Sequence, residues 1–318
     1  MSKATGSGEF ALIREFFASG FPRNKHTRLG VGDDASIVMP PAGCDLLQSI
    51  DTQVADVHFP ATAPAHLIAQ RALRCAASDL AAMGAEPQGF HLALTLPNAE
   101  HEWLADFASG LRDAAHVLDL DLLGGDTTSG PCLVISIQVQ GWVPAGMALT
   151  RSGAQAGDDI WVSDTIGRGA LALPQVLENP AQFSGLARHY YFPQVQTPLG
   201  IQLRDLASSC MDISDGLLQD AGHIARASGV TLELDAAAIP TIAERTDSRW
   251  LQCITGGDDY QLLFTIPAAR RKEAEALRDE FSGIARIGKV ITHNGEDVLV
   301  QENDHILTLP EHAGFQHF

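Results

Sequence analysis

Residues 120–140, LDLLGGDTTSGPCLVISIQVQ, contain the pattern that decides the fold. The apolar run at residues 120–123 predicts a strand that ends at Gly124-Gly125-Asp126. Beyond it, apolar and polar residues alternate in a second, half-buried strand with apolar positions Ile135, Ile137 and Val139. Just before the stretch, apolar residues recur at helical spacing, and Asn98 is a suitable cap for that helix. A helix followed by two strands indicates an α/β fold.

The same alternation of helices and strands continues in both directions. Towards the N-terminus we predict a helix at residues 64–83 and strands at residues 45–50 and 89–95. Towards the C-terminus we predict strands 160–163, 231–234, 262–266 and 298–300, and helices after Gly169, at 214–227 and at 268–281. Residues 141–157 are rich in Gly, Pro and Ala, which is typical of a domain boundary. We therefore predict two α/β domains with mixed sheets, residues 1–148 and 149–318.

The chain of 318 residues is acidic, with 39 Asp and Glu against 21 Lys and Arg and a net charge of −18. This excess argues against nucleic acid or an anionic membrane as a partner. The five cysteines are scattered without a CxxC pair, which is typical of buried thiols in a reducing compartment. Residues 1–17 lack the layout of a signal peptide, and no apolar run approaches the roughly 18 residues that span a bilayer. We expect a soluble, cytoplasmic protein.

Many aspartates stand beside glycine or serine at predicted strand ends and helix starts. Strand ends in α/β folds bind ligands, and oxygen ligands from Asp, Ser and Thr suit Mg²⁺. Several carboxylates that meet at one point repel each other, so they need cations, and cations attract phosphates. The six places are Gly32-Asp33-Asp34, Ser49-Ile50-Asp51-Thr52, Ser78-Asp79, Gly124-Gly125-Asp126-Thr127, Asp212-Ile213-Ser214-Asp215-Gly216 and Gly256-Gly257-Asp258-Asp259.

Most of these places also have an ordinary structural explanation. Asp33-Asp34 could form a turn, Asp126 a hairpin, and Asp212 with Asp215 the cap and first turn of a helix. Asp79 differs, because it shares a helix face with small apolar residues, where a buried carboxylate needs a partner. Six such places in one chain favour a joint interpretation, a polynuclear Mg²⁺–phosphate site.

Two glycine motifs suggest other nucleotide sites but lack the necessary context. The segment 283–289 matches a P-loop pattern, yet Val290 stands where Ser or Thr is needed, and a strand is predicted instead of a helix. The segment 167–172 resembles a dinucleotide motif, but it lacks the later acidic residue, and Pro174 is expected to interrupt the helix. We expect neither motif to bind a nucleotide.

Eight short motifs follow one another along the chain. They are Gly8-Glu-Phe10, Gly32-Asp-Asp-Ala35, Asp51-Thr52 with His58-Phe59, Ser78-Asp-Leu-Ala-Ala-Met-Gly-Ala85, Gly124-Gly-Asp-Thr127, Leu149-Thr-Arg-Ser-Gly-Ala154, Asp212-Ile-Ser-Asp-Gly-Leu217 and Gly256-Gly-Asp-Asp-Tyr260. In this order they resemble the thiamine-monophosphate kinase family, within the aminoimidazole-ribonucleotide-synthetase-like ATP-binding superfamily. The resemblance runs from residue 8 almost to the C-terminus.

The resemblance implies phosphorylation of thiamine monophosphate by ATP to thiamine diphosphate, with several Mg²⁺ ions. It also implies the superfamily's two-domain α/β fold, with an N-terminal ATP- and Mg-binding domain whose sheet forms the interface of a homodimer, and a C-terminal domain that closes the active site. The residues that match the family's metal ligands are Asp34, Ser49, Asp51, Asp79, Asp126, Asp212 and Asp215. Those that match ATP contacts are Gly125, Asp126, Arg151 and Ser214, and those that match substrate contacts are His58, Asp258 and Phe315.

The sequence departs from the family pattern at four positions. Asp258 stands where the family has Glu, Gln196 where it has Arg, Ile50 where Thr is common, and Phe315 where Tyr or Trp is frequent. The acceptor is already a phosphate dianion at neutral pH. We therefore expect direct in-line transfer without a general base or a phosphoenzyme.

Three other functions stay open at this point. One is another enzyme of the superfamily, such as a selenophosphate synthetase or the ring-closing purine synthetase. A selenophosphate synthetase is expected to have a reactive Cys or selenocysteine near its N-terminus, whereas the first cysteine of this chain is Cys44. The second is a Mg²⁺-dependent phosphohydrolase, in which water is the acceptor, and the third is a nucleotide-binding regulator without activity.

Overall fold

The computed structural model describes residues 9–303, 305–310 and 314. Contacts between its residues divide the chain into two units. The first comprises the described residues up to Ala77 together with Pro87–Trp142, and the second comprises Ser78–Glu86 and the described residues from Val143 onward. The predicted boundary at residue 148 lies just beyond the second division point. The sequence pattern did not indicate that residues 78–86 belong with the C-terminal half.

The first unit is built on a four-stranded sheet with the order β3-β6-β4-β5 and a two-stranded sheet of β1 and β2. A short π-helix, Ile13–Phe17, follows the first helix. The helices are α1 Glu9–Leu12, α2 Ala65–Ala82, whose last residues belong to the second unit, and α3 His101–Leu118. The strands are β1 Thr27–Leu29, β2 Ile37–Val38, β3 Cys44–Val54, β4 Glu86–Leu96, β5 Asp121–Ser129 and β6 Val134–Pro144.

Helix α3 has the predicted apolar stripe but not the predicted cap. Leu104, Phe107 and Leu111 on the stripe are buried, which confirms the face expected to pack inward. The helix begins at His101 after Glu100, so the expectation that Asn98 caps it is wrong. The His101 ring lies 2.7 Å from a carboxylate oxygen of Glu15, and this tertiary contact holds the first turn.

Strand β5 does not end at Gly124-Gly125-Asp126, as predicted, but continues to Ser129. It pairs in parallel with β4, with Leu92 opposite Gly125 and Ala93 opposite Asp126. A Cβ atom on Gly125 would lie 1.9 Å from the carbonyl oxygen of Leu92. Glycine is therefore needed here for the close approach of two strands, and the hydrogen bonds of that pair override its preference for turns.

The second unit is built on a seven-stranded sheet with the order β13-β12-β9-β11-β7-β10-β8. Neighbouring strands are antiparallel except for the parallel pair of β9 and β12. The strands are β7 Asp158–Val162, β8 Ser209–Ile213, β9 Val230–Asp235, β10 Gln261–Pro267, β11 Ala285–Thr292, β12 Val298–Glu302 and β13 His305–Ile306. The helices are α4 Arg168–Glu178, α5 Leu186–Tyr191, α6 Thr197–Leu203, α7 Leu217–Ser228, α8 Trp250–Thr255 and α9 Arg271–Ala276.

Two helix predictions in the second unit are wrong. Pro174 lies inside α4 and does not interrupt it. The carbonyl of Ala170, which a proline four residues later cannot bond, accepts a hydrogen bond of 3.2 Å from the Gln252 side-chain amide. The helix predicted at 268–281 is instead α9 flanked by the 3₁₀ turns Ala268–Arg270 and Leu277–Asp279.

Helix α7 is fixed to the sheet by its apolar face. Leu217, Ala221 and Ile224 are fully buried and belong to one hydrophobic cluster with Ile160 of β7 and Leu232 of β9. Burial of such side chains stabilises the fold by about 1.5–3 kcal/mol for each large residue. The packing therefore fixes the end of β8, where Asp212 lies, and the short turn to α7, where Asp215 lies.

The sequence suggested that all five cysteines are buried, but two of them are not. Cys75, Cys210 and Cys253 are buried, whereas Cys44 is half-buried and Cys132 is exposed. Cys132 precedes β6 and stands outside the packed strands, so the hydrophobic core does not enclose it. Within the described residues, none of the helices combines the length and the apolar character needed to cross a membrane.

Candidate active site

The end of β8 and the turn that joins it to α7 carry three of the predicted site residues. β8 ends in the buried segment Asp212-Ile213, and Ser214, Asp215 and Gly216 lead into α7. Gly216 has φ +129°, and a Cβ atom there would lie 2.5 Å from the carbonyl oxygen of Thr255. The glycine thus lets the turn pack directly on the end of α8.

Asp212 and Asp79 form the first part of the site. The Ser78 hydroxyl donates a hydrogen bond of 2.6 Å to an Asp212 carboxylate oxygen, and Asp79 follows Ser78 on α2. Burial, and then the negative charge of Asp79, raise the pKa of Asp212 to about 7. The structure therefore brings these two predicted metal ligands together. The apolar helix face of Asp79 suggested that its carboxylate is buried, but the residue is only half-buried.

Asp220 is a residue that the sequence analysis missed. It is 1% exposed, and its Oδ2 accepts hydrogen bonds of 3.1 Å from the backbone N–H groups of both Asp215 and Gly216. Burial, with the charges of Asp212 and Asp215, raises its pKa to about 8. A signal was present in the sequence, because Asp220 lies on the apolar stripe of α7 beside Ala221, where a carboxylate must find a partner.

Asp215 itself is held from α7. One of its carboxylate oxygens accepts a hydrogen bond of 2.9 Å from the Gln219 side-chain amide. One ligand atom each from Asp215, Asp220 and His223 lie within 4.8 Å of one another. Burial and the positive charges of Arg226 and Arg151 lower the pKa of His223, so its ring is neutral at pH 7.

The Gly256–Tyr260 loop lies directly against the acidic turn. The Asp258 N–H donates to the Ser214 carbonyl over 2.9 Å, and the Tyr260 N–H donates to the Ile213 carbonyl over 2.8 Å. A Cβ atom on Gly257 would lie 2.2 Å from the Ser214 carbonyl oxygen, so this approach requires glycine. The structure thereby joins Asp258, a predicted substrate residue, to Ser214, a predicted ATP residue.

Two features fix the loop in this position. Asp258 has φ +69°, and the Tyr260 hydroxyl donates a hydrogen bond of 3.2 Å to its carboxylate. Asp259, which the sequence analysis did not assign, is buried and accepts the N–H groups of Gly167 over 2.7 Å and Gly169 over 3.2 Å. Burial raises the Asp259 pKa to about 7. Its carboxylate anchors the loop to the first turn of α4.

Arg151 and Gly314 also lie near the β8–α7 turn. Arg151 is exposed, and its positive charge lowers the pKa of Asp212 against the larger effect of burial. Phe315 lies outside the described residues. Gly314 is described, and a Cβ atom on it would lie 2.1 Å from the side-chain oxygen of Gln219. The chain therefore passes Gln219, the partner of Asp215, one residue before Phe315.

The predicted metal ligands of the first unit do not form one cluster. Ser49 and Asp51 are two residues apart on β3, so their side chains share a face of that strand, and Asp126 lies on β5. β3 and β5 are the two edges of the four-stranded sheet, separated by three strand spacings of about 4.8 Å, or about 14 Å in total. Asp51 and Asp126 of one chain therefore cannot both ligate a single ion, since Mg²⁺ takes its oxygens at about 2.1 Å. Asp34 is exposed in the loop before β2.

His58 follows β3 in a turn that it helps to form. Its Nδ1 accepts a hydrogen bond of 3.0 Å from the N–H of Val54, while its own N–H donates to the Val54 carbonyl over 3.0 Å. With Nδ1 as acceptor, the neutral ring carries its proton on Nε2. His58 is therefore fixed relative to Asp51, three residues before Val54 on the same strand.

Comparison with known proteins identifies the family. Models of the AIR synthase related protein match the chain with their N-terminal domain at residues 32–143 and their C-terminal domain at residues 155–301. The thiamine-monophosphate kinase of Escherichia coli K12 is 41% identical over 278 residues, which cover 83% of this chain and 84% of that protein. The chain belongs to the thiamine-monophosphate kinase family.

Solved structures of this kinase family share the fold. The crystal structure of thiamine-monophosphate kinase from Stenotrophomonas maltophilia is 38% identical, with a TM-score of 0.80 over 90% of this chain and 93% of that chain. The structure described as AaThiL complexed with AMPPCP and TMP is 26% identical, with a TM-score of 0.76 over 100% of this chain and 99% of that chain. The mixed two-domain α/β fold expected from the resemblance is confirmed.

The buried acids predict how stability depends on pH. The pKa values of Asp212, Asp220 and Asp259 are raised to about 7, about 8 and about 7 from an ordinary 3.8. At pH values between the ordinary pKa of 3.8 and the raised pKa of each group, the folded protein binds more protons than the unfolded chain. Its free energy of unfolding therefore falls as the pH rises through this range. In EDTA we expect this fall between pH 4 and 8, by at most about 1.4 kcal/mol per pH unit for each group.

Urea denaturation at a series of pH values measures this dependence. Asp220→Asn removes one titrating group and keeps an acceptor oxygen, so we expect a shallower fall and a variant more stable than wild type at pH 8. Asp113→Asn, at an exposed position of α3, is the matched control and should keep the wild-type slope. A wild-type stability that rises over this range, or an Asp220→Asn slope equal to wild type, contradicts the assignment.

Proposed function

We propose that the protein transfers the γ-phosphate of ATP to the phosphate of thiamine monophosphate, giving thiamine diphosphate and ADP. The observation that carries this proposal is the hydrogen-bonded pairing of the Gly256–Tyr260 loop with the β8–α7 turn. It joins Asp258, a candidate for substrate binding, to a turn whose residues are candidates for metal and ATP binding. The 41% identity to the Escherichia coli kinase and the AMPPCP and TMP in the AaThiL structure support the same reaction.

The donor set of the site fits Mg²⁺. The proposed ligands offer only oxygen atoms, from carboxylates and one hydroxyl, which is the ligand chemistry of Mg²⁺. Burial, and then the negative charge of Asp79, raise the pKa of Asp212, so a cation beside these two carboxylates would stabilise their charged forms. Bound Mg²⁺ ions would neutralise phosphate charge during the reaction. The residues that would hold several such ions are Asp34, Ser49, Asp51, Asp79, Asp126, Asp212 and Asp215.

The protein's own residues orient the two substrates. Gly125, Asp126, Arg151 and Ser214 are proposed to contact the nucleotide, where the flexible cationic side chain of Arg151 faces the phosphates. His58, Asp258 and Phe315 are proposed to contact thiamine monophosphate. Its thiazolium ring is a cation, which an acidic neighbour such as Asp258 and an aromatic face such as Phe315 attract. Asp258 reaches one methylene less far than Glu, and its hydrogen bond from Tyr260 sets its direction.

The chemical step needs no protein base. A phosphate oxygen of thiamine monophosphate attacks the γ-phosphorus of ATP, and a new P–O bond forms. The bond from the γ-phosphorus to the bridging oxygen breaks, and ADP leaves with the electron pair. Because the acceptor is already an anion, no proton is removed from it, and the residues act through position and charge.

We further propose a homodimer formed through the four-stranded sheet, in the cytoplasm, where ATP is supplied and thiols stay reduced. Leu46 and Ile50 lie on one face of the edge strand β3, and their exposed fractions are 48% and 67%. Exposed apolar side chains on an edge strand are typical of an interface.

Light scattering should give twice the chain mass of 33.9 kDa for wild type and a monomer for Ile50→Glu. Val117→Glu, at an exposed position of α3, should stay a dimer, and a monomeric wild type contradicts the proposal.

Incubation with ATP, Mg²⁺ and thiamine monophosphate tests the reaction directly. We expect one ADP for each thiamine diphosphate formed, measured by chromatography of both products. Free phosphate without thiamine diphosphate would indicate a hydrolase, turnover with other superfamily substrates would indicate a different enzyme, and no turnover would indicate a regulator. Each of these three outcomes contradicts the kinase proposal.

Asp126→Asn tests the metal assignment within that reaction. Loss of one ligand charge should reduce turnover by about 100-fold or more while the thermal unfolding curve stays close to wild type. Asp119→Asn is the matched control, because Asp119 is an exposed residue with φ +53°, a conformation that Asn tolerates well. Near-normal turnover of Asp126→Asn would overturn the assignment.

A further inference from the structure

The backbone around Asp215 is held by one buried side chain. Two peptide groups flank the Cα atom of Asp215, one ending in its own N–H and the other in the N–H of Gly216. Both N–H groups donate to the same atom, Oδ2 of Asp220, over 3.1 Å. Because these two peptide planes set φ and ψ of Asp215, they set the direction of its Cα–Cβ bond.

The side chain of Asp215 is held from the same turn of helix. Gln219 of α7 donates its amide N–H to an Asp215 carboxylate oxygen over 2.9 Å. Asp220 follows Gln219 and is 1% exposed on the apolar stripe of α7, whose neighbours Leu217 and Ala221 are fully buried. The first turns of α7 therefore fix both ends of the Asp215 side chain, and the core fixes α7.

Both N–H groups belong to residues that precede the first residue of α7, Leu217. Gly216 has φ +129° and ψ 146°, so it lies just outside the helix. The N–H groups at the start of a helix have no carbonyl acceptor within that helix, so they need one from elsewhere. The hydrogen bond from Gly216 is buried and the one from Asp215 is part-buried, so loss of their shared acceptor would leave both N–H groups poorly satisfied and would favour a rearranged turn. The position of Asp215 therefore depends on an acceptor at residue 220.

We propose that Asp220 is a positioning residue that orients Asp215 for Mg²⁺ binding without itself holding the ion. This inference rests on the proposed function, because Asp215 is a metal ligand only in that reaction. What Asp220 supplies is an acceptor oxygen in a fixed place. Its negative charge is not required, and this distinguishes it from a third ligand grouped with Asp215 and His223.

Two substitutions separate the acceptor from the charge. Asp220→Asn keeps an acceptor oxygen and removes the charge, whereas Asp220→Leu has a similar size and removes both. Loss of residues that orient metal ligands typically lowers metal affinity by about 10- to 100-fold. We expect this loss for Asp220→Leu and a change of less than about threefold for Asp220→Asn.

The primary readout is binding of Mn²⁺ as a probe for Mg²⁺, followed by its electron paramagnetic resonance signal in the presence of AMPPCP. The second readout is the Mg²⁺ concentration that gives half-maximal turnover, with KM for thiamine monophosphate unchanged. Equal losses in Asp220→Asn and Asp220→Leu would overturn the proposal and make Asp220 a ligand. Wild-type binding by Asp220→Leu would also overturn it.

Asp158→Leu controls for a general loss of stability. Asp158 is 5% exposed in the same unit, and its Oδ2 accepts the N–H of Gln155 over 3.0 Å and the hydroxyl of Ser208 over 2.6 Å. We expect it to be destabilised like Asp220→Leu but to keep wild-type Mn²⁺ affinity. If Asp220→Leu does not fold, Asp220→Asn still decides between acceptor and ligand. A wild-type protein that binds Mn²⁺ but forms no thiamine diphosphate would reject the proposed function and leave the positioning test intact.

Discussion

Burial of the Asp212 carboxylate beside Asp79 is the constraint on which the proposed site depends. A buried carboxylate must be protonated or must meet a partner charge, since its transfer from water costs several kcal/mol. Ser78 donates one hydrogen bond to it, and its pKa is nevertheless raised to about 7. This need explains why residues 78–86 belong with the C-terminal half, to which the Arg204 side chain also ties them through the Gly84 carbonyl over 2.6 Å.

The remaining parts of the second unit's site follow from close backbone packing around this acid. Gly216 and Gly257 remove the side chains that would separate the β8–α7 turn from α8 and the Gly256–Tyr260 loop. Asp220 and Asp259 then satisfy backbone N–H groups that the packing would otherwise leave without acceptors. A site assembled in this way holds several acidic side chains close together in fixed positions. Such a site suits a reaction whose main difficulty is to hold two polyanions and their cations in line.

The sequence predicts the parts of this arrangement that depend on neighbours along the chain. Periodicity gives α3 and α7 with their buried faces, and the glycine–aspartate motifs locate the acidic turns. Prediction from the sequence fails for Gly124-Gly125-Asp126, because the hydrogen bonds that extend β5 come from β4, about thirty residues earlier. It also fails for Asp259, whose partners at Gly167 and Gly169 are distant in sequence. Strand order is likewise invisible in a sequence, so the separation of Asp51 from Asp126 by the full width of a sheet emerges only in the fold.

The central claim is that position and charge alone carry phosphate directly from ATP to the acceptor. The most direct measurement is the stereochemical course of transfer from ATP made chiral at the γ-phosphorus with oxygen isotopes. A single in-line displacement inverts the configuration at phosphorus, and inversion in the thiamine diphosphate is the result we expect. Retention would require two displacements through a phosphorylated protein side chain and would contradict the account.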